Sequence, residues 1–104
     1  MKNVKYINSQ QLDEICLQPD SILLDIREPN EFSPLHILSA VNTPLSSWDI
    51  NNINKMCANK KNVILYCKSG QRTRMNENLF QQIQADEIMI LEGGILAWEH
   101  YKAI

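Results

Sequence analysis

The sequence predicts an α/β fold with parallel crossovers. Short apolar runs of strand length alternate along the chain with amphipathic stretches of helical period. Two of those runs, Ile22-Leu23-Leu24-Asp25-Ile26 and Val63-Ile64-Leu65-Tyr66, show no apolar/polar alternation, the pattern of strands buried on both faces of a parallel sheet. A length of 104 residues suits one compact domain over 1–104 and is too short for two.

Met1-Lys2-Asn3 leads straight into a first strand, Val4-Lys5-Tyr6-Ile7. Ser9 is the expected N-cap of the next helix, whose Leu12, Ile15 and Cys16 fall at i, i+3 and i+4 on one face. Pro19-Asp20 turns the chain into Ile22–Ile26. Pro29-Asn30-Glu31-Phe32 suggests a helical turn that Pro34 ends, and Ala40-Val41-Asn42 is a short strand before Pro44. Ser47 is expected to cap a helix to about Cys57, with Trp48, Ile50 and Ile53 as apolar contacts. After Val63–Tyr66 a single helix is expected from Thr73 to about Gln84, because Met75, Leu79 and Ile83 recur every four residues with Phe80 beside them. Ile88-Met89-Ile90-Leu91 is the last strand, Gly93-Gly94 a turn, and Ile95, Trp98 and Tyr101 stripe a closing helix. Strands separated by helices imply crossovers, and ligands of such sheets bind at the carboxyl ends of the strands. Asp25 and Cys67 both fall there and can face one crevice.

Composition excludes several classes. A net charge of −2 and a pI near 5.6, with Lys60-Lys61 as the sole adjacent basic pair, argue against a nucleic-acid surface. No apolar run reaches membrane-spanning length, and the amino end has no leader pattern. Three cysteines without a close pair point to free thiols in a reducing, cytoplasmic setting. Cys16, Cys57, Cys67, His36 and His100 form no C-x2-C or H-x3-H unit, so neither a metal site nor a cofactor is expected. Cys16 reads as core, Cys57 as a helix-end residue without a redox partner, and His100 as a surface residue near a helix C-terminus.

Cys67 differs from the other two. It follows an apolar strand and opens the polar loop Lys68-Ser69-Gly70-Gln71-Arg72-Thr73, with helical pattern beyond. Unpaired N–H groups and a helix start both favour thiolate over thiol, so this is the candidate nucleophile. Gly70 lets the loop wind tightly, while Arg72 and Lys68 place positive charge beside an anionic substrate. The arginines stand at C-x4-R (Arg72) and C-x6-R (Arg74); neither is the C-x5-R of loops that wrap a phosphate.

Four segments together resemble the rhodanese-like domains. Asp25-Ile26-Arg27-Glu28-Pro29-Asn30-Glu31-Phe32 resembles the family's D-x-R-x-x-x-E-[FY] segment. His36-Ile37 with Ala40-Val41-Asn42-Thr43-Pro44 resembles G-H-I-x-x-A-x-N-x-P. Cys67 to Thr73 resembles the active loop C-x-x-G-x-R-[ST], and Leu91 to Trp98 resembles L-x-G-G-[IF]-x-x-W. The resemblance implies a three-layer α/β/α domain around a mostly parallel five-stranded sheet. One departure is plain: Leu35 replaces the family Gly before the His, and Ser39 stands where a Gly would follow. A Gly there serves a positive φ or a close approach, so the local turn is where a difference is expected.

The resemblance also implies a sulfurtransferase. Cys67 would carry a sulfane sulfur as a persulfide, and the N–H groups of Lys68, Ser69, Gly70, Gln71, Arg72 and Thr73 would cradle it. Arg72 and Lys68 would steer an anionic donor such as thiosulfate. Acceptors would be cyanide in the laboratory, and thiols, thioredoxin-like proteins or a sulfur-carrier protein in cells. Asp25, Arg27 and Glu31 read as an ion-pair network holding the loop, or as substrate groups, and His36 as a structural hydrogen-bonding residue. The rival readings are a low-turnover binding or regulatory module on the same fold, and a redox-sensing thiol, for which no resolving cysteine lies adjacent.

Overall fold

The computed structural model describes residues 3–103; Met1 and Lys2, read as leading into the first strand, lie outside them. Five parallel strands form one sheet in the order β1-β5-β4-β2-β3: β1 Val4–Ile7, β2 Ser21–Asp25, β3 Val41–Asn42, β4 Asn62–Tyr66 and β5 Glu87–Leu91. The helices are α1 Ser9–Ile15, α2 Pro29–Phe32, α3 Ile50–Met56, α4 Gln71–Met75, α5 Glu77–Phe80 and α6 Gly94–Lys102.

Period-two alternation divides the apolar runs between two cores. Leu24, Val63, Leu65, Ile88 and Ile90 point to one face and pack with Ile53 and Cys57 at α3 and with Phe80 of α5. Leu23, Ile64, Tyr66, Met89 and Leu91 point to the other and pack with Leu12 and Cys16 at α1 and with Ile95 of α6. Every strand residue in these two sets is at most 8% exposed, which explains why the central strands read as unbroken apolar runs. The expected three-layer α/β/α architecture is therefore present, with a sheet that is wholly parallel.

Three helix boundaries differ from expectation. Asn8, not Ser9, caps α1: its side chain accepts the Gln11 N–H at 2.8 Å while the Gln11 side chain accepts the Asn8 N–H at 2.8 Å, a complete capping box. Leu45–Ser47 forms a 3-10 turn, and α3 starts only at Ile50, where the Asp49 carboxylate accepts the N–H groups of Asn51 and Asn52. The single helix expected from Thr73 to Gln84 is broken at Asn76, whose backbone leaves the helical region (φ −118°, ψ 22°) and whose side-chain amide donates to the Arg72 carbonyl at 2.7 Å. Phe80 and Ile83 remain core, but Met75 points to solvent, 80% exposed.

The departure at Leu35 and Ser39 resolves into two different outcomes. Leu35 is half-exposed with a negative φ, and its carbonyl accepts a hydrogen bond from Arg27 at 2.7 Å, so a side chain there meets no obstacle. Ser39 holds a left-handed backbone at φ 78°, alone among the described non-glycine residues. A left-handed residue with a Cβ costs about 1–2 kcal/mol, against about 0.5–1 kcal/mol of extra unfolded-chain entropy for Gly. Ser39→Gly is therefore expected to stabilise the domain by roughly 0.5 kcal/mol, raising the urea midpoint at constant m-value. A lowered midpoint would show instead that the Ser39 side chain itself holds the turn.

Candidate active site

β4 ends at Tyr66 and delivers Cys67 to the carboxyl edge of the sheet, and β2 runs beside it in a register that pairs Asp25 with Tyr66. Both chemistry-bearing positions expected at strand ends are thus neighbours on one edge.

The loop closes over the sulfur. Gly70 has φ 95°, a conformation that needs glycine, and its N–H donates to Cys67 Sγ at 3.1 Å. Thr73 Oγ1 lies 3.6 Å from Sγ and donates to the Gly70 carbonyl at 3.0 Å. Gly70 is also the N-cap of α4; the first bond of that helix runs from Arg74 N–H to the Gly70 carbonyl at 3.1 Å. The N–H groups of Gln71, Arg72 and Thr73 consequently have no intrahelical partner. Cys67 and Thr73 are both fully buried, so the sulfur lies beneath the loop rather than at an open mouth. Lys68, Ser69 and Gln71 stand on the exposed outer side.

The loop is held from behind by α6. Ile95 N–H donates to the Cys67 carbonyl at 2.9 Å and Leu96 N–H to the Lys68 carbonyl at 3.1 Å. This contact requires bare backbone at Gly94, where a Cβ would lie 2.4 Å from the Lys68 oxygen and 2.5 Å from the Cys67 oxygen, at φ 61°. Gly93-Gly94, expected only as a turn, is in fact the start of α6 pressed against the Cys67 carbonyl.

Two ion pairs frame the site. Arg27 wraps Asp25: its Nε lies 3.1 Å from both carboxylate oxygens and its Nη2 2.8 Å from Oδ2, with Asp25 wholly buried and Arg27 5% exposed. The Arg27 backbone N–H also donates to Asp25 at 2.9 Å, and the guanidinium lies over the Tyr66 ring. The Tyr66 hydroxyl accepts the Ile37 N–H at 3.1 Å, and burial pushes its pKa well up. Arg72 forks onto Glu31, with Nη1–Oε1 at 2.8 Å and Nη2–Oε2 at 2.9 Å. This pairing holds the Glu31 carboxyl down at about 2. His36 donates from Nδ1 to the Phe32 carbonyl at 2.8 Å and stacks on the Phe32 ring, away from the sulfur.

The structure thus brings Cys67, Gly70 and Thr73 together, joins Arg72 to Glu31 and Arg27 to Asp25, and leaves Lys68, Ser69, Gln71 and His36 peripheral. Tyr66, Asn42 and Gly94 support the site without having been read as site residues. Asn42 donates to the carbonyls of Asp25 and Arg27 at 3.0 and 2.9 Å. Gly94 carried a sequence signal in the Gly-Gly pair and Asn42 in the A-x-N-x-P segment; a strand Tyr carries none.

The rhodanese-like domain model matches residues 8–101. This chain belongs to the rhodanese-like family. An uncharacterized Synechocystis protein is 36% identical over 96 residues, covering 89% of this chain and 51% of that protein, so the chain spans about half the length of this relative. A protein of Allochromatium vinosum named sulfurtransferase is 28% identical over 94% of this chain and 91% of its own length. The thiosulfate:glutathione sulfurtransferase of Saccharomyces cerevisiae is 31% identical over 68% of this chain and 63% of its own. Among solved structures, a rhodanese-related protein of Thermoplasma volcanium superposes with a TM-score of 0.73 at 26% identity, covering 93% of this chain and 92% of that one. The rhodanese-like family includes sulfurtransferases, and the D-x-R-x-x-x-E segment of this member corresponds to the two ion pairs described above.

Two predictions follow from the loop's supports. Gly94→Ala combines a clash with two carbonyl oxygens and a left-handed φ, and is expected to cost about 2–4 kcal/mol in urea unfolding. It should also shift the Gly70 amide resonance. Glu31 titrates near 2 in the folded chain against 4.5 ordinarily, so the stability it contributes is present above 4.5 and is lost as pH falls toward about 2. Carboxyl NMR should find that low midpoint in the wild type and a return toward 4.5 in Arg72→Met; an unshifted wild-type Glu31 would show that the fork does not persist in solution.

Proposed function

We propose that this rhodanese-like domain is a sulfurtransferase working through a Cys67 persulfide. The Cys67 thiolate attacks the outer sulfur of thiosulfate; a new S–S bond forms as sulfite leaves with the electron pair of the old one. An acceptor nucleophile, cyanide or a thiolate, then attacks the outer sulfur of the persulfide and Cys67 departs as thiolate. No metal or redox cofactor is needed to balance either step.

The observation that carries this reading is the hydrogen bond from Gly70 N–H to Cys67 Sγ, next to loop N–H groups that have no intrahelical partner. Backbone dipoles so arranged stabilise an anionic sulfur without a counter-charge that would bind it irreversibly. Thr73 adds a hydroxyl that can turn from the Gly70 carbonyl to the sulfur as charge develops there. Two relatives named as sulfurtransferases support the same chemistry. Lys68 is the exposed cation of the loop and fits donor steering better than Arg72, which is engaged by Glu31. Thiols, thioredoxin-like proteins or a sulfur carrier fit as acceptors, in the reducing cytoplasm that free thiols suit. Among the described residues no helix is long and apolar enough to cross a membrane.

One observation favours a second reading. Full burial of Cys67 is what a low-turnover binding module would show, because the residue presents no exposed surface to a donor. Intact mass after brief incubation with thiosulfate separates the two. A gain of about 32 Da, one sulfur atom, lost on reduction and absent in Cys67→Ser, is the expected result. No adduct from thiosulfate or from a persulfide donor would favour the module.

A further inference from the structure

Two buried polar atoms, Thr43 Oγ1 and Trp48 Nε1, have no hydrogen-bond partner among the described residues, and both residues line one cavity. Buried hydroxyls and indole N–H groups are ordinarily paired, so two orphans on one wall point to a ligand. Thr43 is 8% exposed, and backbone pins it on both sides. Its own N–H donates to the Asp25 carbonyl at 2.8 Å, and the Leu45 N–H donates to the Ile26 carbonyl at 3.2 Å. The Trp48 indole is set against Phe80, with ring centroids 5.5 Å apart and planes inclined at 57°. The cavity holds about 120 Å³ and lies between the end of β3, the turn over Leu45–Ser47 and the start of α3. No residue of the active loop borders it.

The lining restricts what fits. No lysine or arginine among the described residues borders the cavity, and Asp49, which is exposed, brings a carboxylate to its mouth. Asp49 Oδ1 accepts the N–H groups of Asn51 and Asn52, while its Oδ2 bonds to none of the described residues. An anion, thiosulfate included, would meet that carboxylate with no counter-charge. Trp48 Nε1 can only donate, so the ligand must turn an acceptor to the inner wall, which excludes an ammonium or a guanidinium. A carboxamide meets every demand. It is uncharged, its oxygen has a lone pair for each inner group, and its N–H groups sit at the other end of the same plane, toward Asp49. Pro44, Ile53 and Met56 give apolar wall to its carbon atoms. The volume is well above what one water fills and suits a short primary amide. From this arrangement we infer that the cavity is a carboxamide-binding site, independent of the sulfur chemistry. The amide could belong to a free small molecule or to an Asn or Gln side chain of a partner. Beside the cavity β3 is the edge of the sheet, and with the Thr43 N–H turned onto β2 the Asn42 N–H and carbonyl face the open side. A partner segment would find backbone to pair with there; a free amide would not use it.

An NMR titration on the intact chain tests this through the Trp48 indole N–H, with the Trp98 indole, packed in the other core, as internal reference. The probes are propionamide, its charged isostere propionate, and acetyl-Ala-Gln-Ala-methylamide. Saturable movement of the Trp48 resonance is expected with propionamide and with the tripeptide, while Trp98 stays still and propionate has no effect at neutral pH. The affinity should fall about tenfold in Thr43→Val and return in Thr43→Ser, the scale of one buried hydrogen bond. A tripeptide that binds clearly tighter than propionamide assigns the amide to a partner's side chain, and one that binds no tighter assigns it to a free small amide; both sustain the site. Urea unfolding without ligand gives a second check. Removing an unpaired buried hydroxyl should leave the midpoint of Thr43→Val level with wild type or above it. No saturable Trp48 shift overturns the proposal, as does a propionate response equal to that of propionamide or an affinity unchanged in Thr43→Val. So does a Thr43→Val midpoint well below wild type, which would show that the hydroxyl is already paired within the fold.

Discussion

The contact between the start of α6 and the first two carbonyls of the active loop is the constraint on which the rest depends. A trans peptide holds its N–H opposite its C=O. Once the Cys67 and Lys68 carbonyls are turned onto the N–H groups of Ile95 and Leu96, the N–H groups of Lys68 and Ser69 must point away from α6 and into the loop. Gly70 then reverses the chain at φ 95° and sends its own N–H back to the sulfur. The polarity of the loop is therefore set by a helix more than twenty residues downstream in the chain. Gly94 permits it by allowing backbone to approach where a Cβ has no room.

The two ion pairs act on top of that constraint. Asp25–Arg27 is buried, and its guanidinium also binds the Leu35 carbonyl, so it anchors the segment after α2 to the end of β2. Removing one partner of such a pair leaves an uncompensated buried charge, typically about 3–5 kcal/mol. Glu31–Arg72 is half-exposed and contributes much less to stability, but it ties α2 to α4 across the mouth of the loop. Both arginines are matched by carboxylates, and although Arg72 still interacts with Cys67, the sulfur also meets the peptide dipoles of its own loop. Those dipoles cannot be neutralised by a passing anion, whereas a free guanidinium can.

What was legible in the sequence was local. The buried strands announced themselves as unbroken apolar runs, and Cys67 as a thiol at a strand end before a polar loop. The capping error at α1 was avoidable, since Asn8 with Gln11 is a box signature and Ser9 has no such partner three residues on. The break at Asn76 was not: the apolar period continues through it with no Pro or Gly, and only a side-chain bond to the Arg72 carbonyl interrupts the ladder. Strand order, the Glu31 partner of Arg72 and the Gly94 approach all join residues distant in sequence, which periodicity does not encode. The charge of Arg72 was visible; whether that charge was free was not.

The occupied fork of Arg72 gives an argument about reaction class that is independent of loop length. Phosphoryl chemistry spreads charge over three equatorial oxygens and draws on a planar guanidinium to bind two of them. Here both Nη atoms already serve Glu31, at 2.8 and 2.9 Å, and freeing them would also disconnect α2 from α4. A sulfane sulfur asks less of the site. It is a single atom, it accepts weak bonds from several N–H groups at once, and in a persulfide it stands about 2 Å beyond Sγ. In the proposed reaction the atom to be handed over projects outward, while Sγ itself stays inside as the leaving group. The tight loop and the neutralised arginine, each a drawback for a phosphatase, are both consistent with the proposed sulfur transfer.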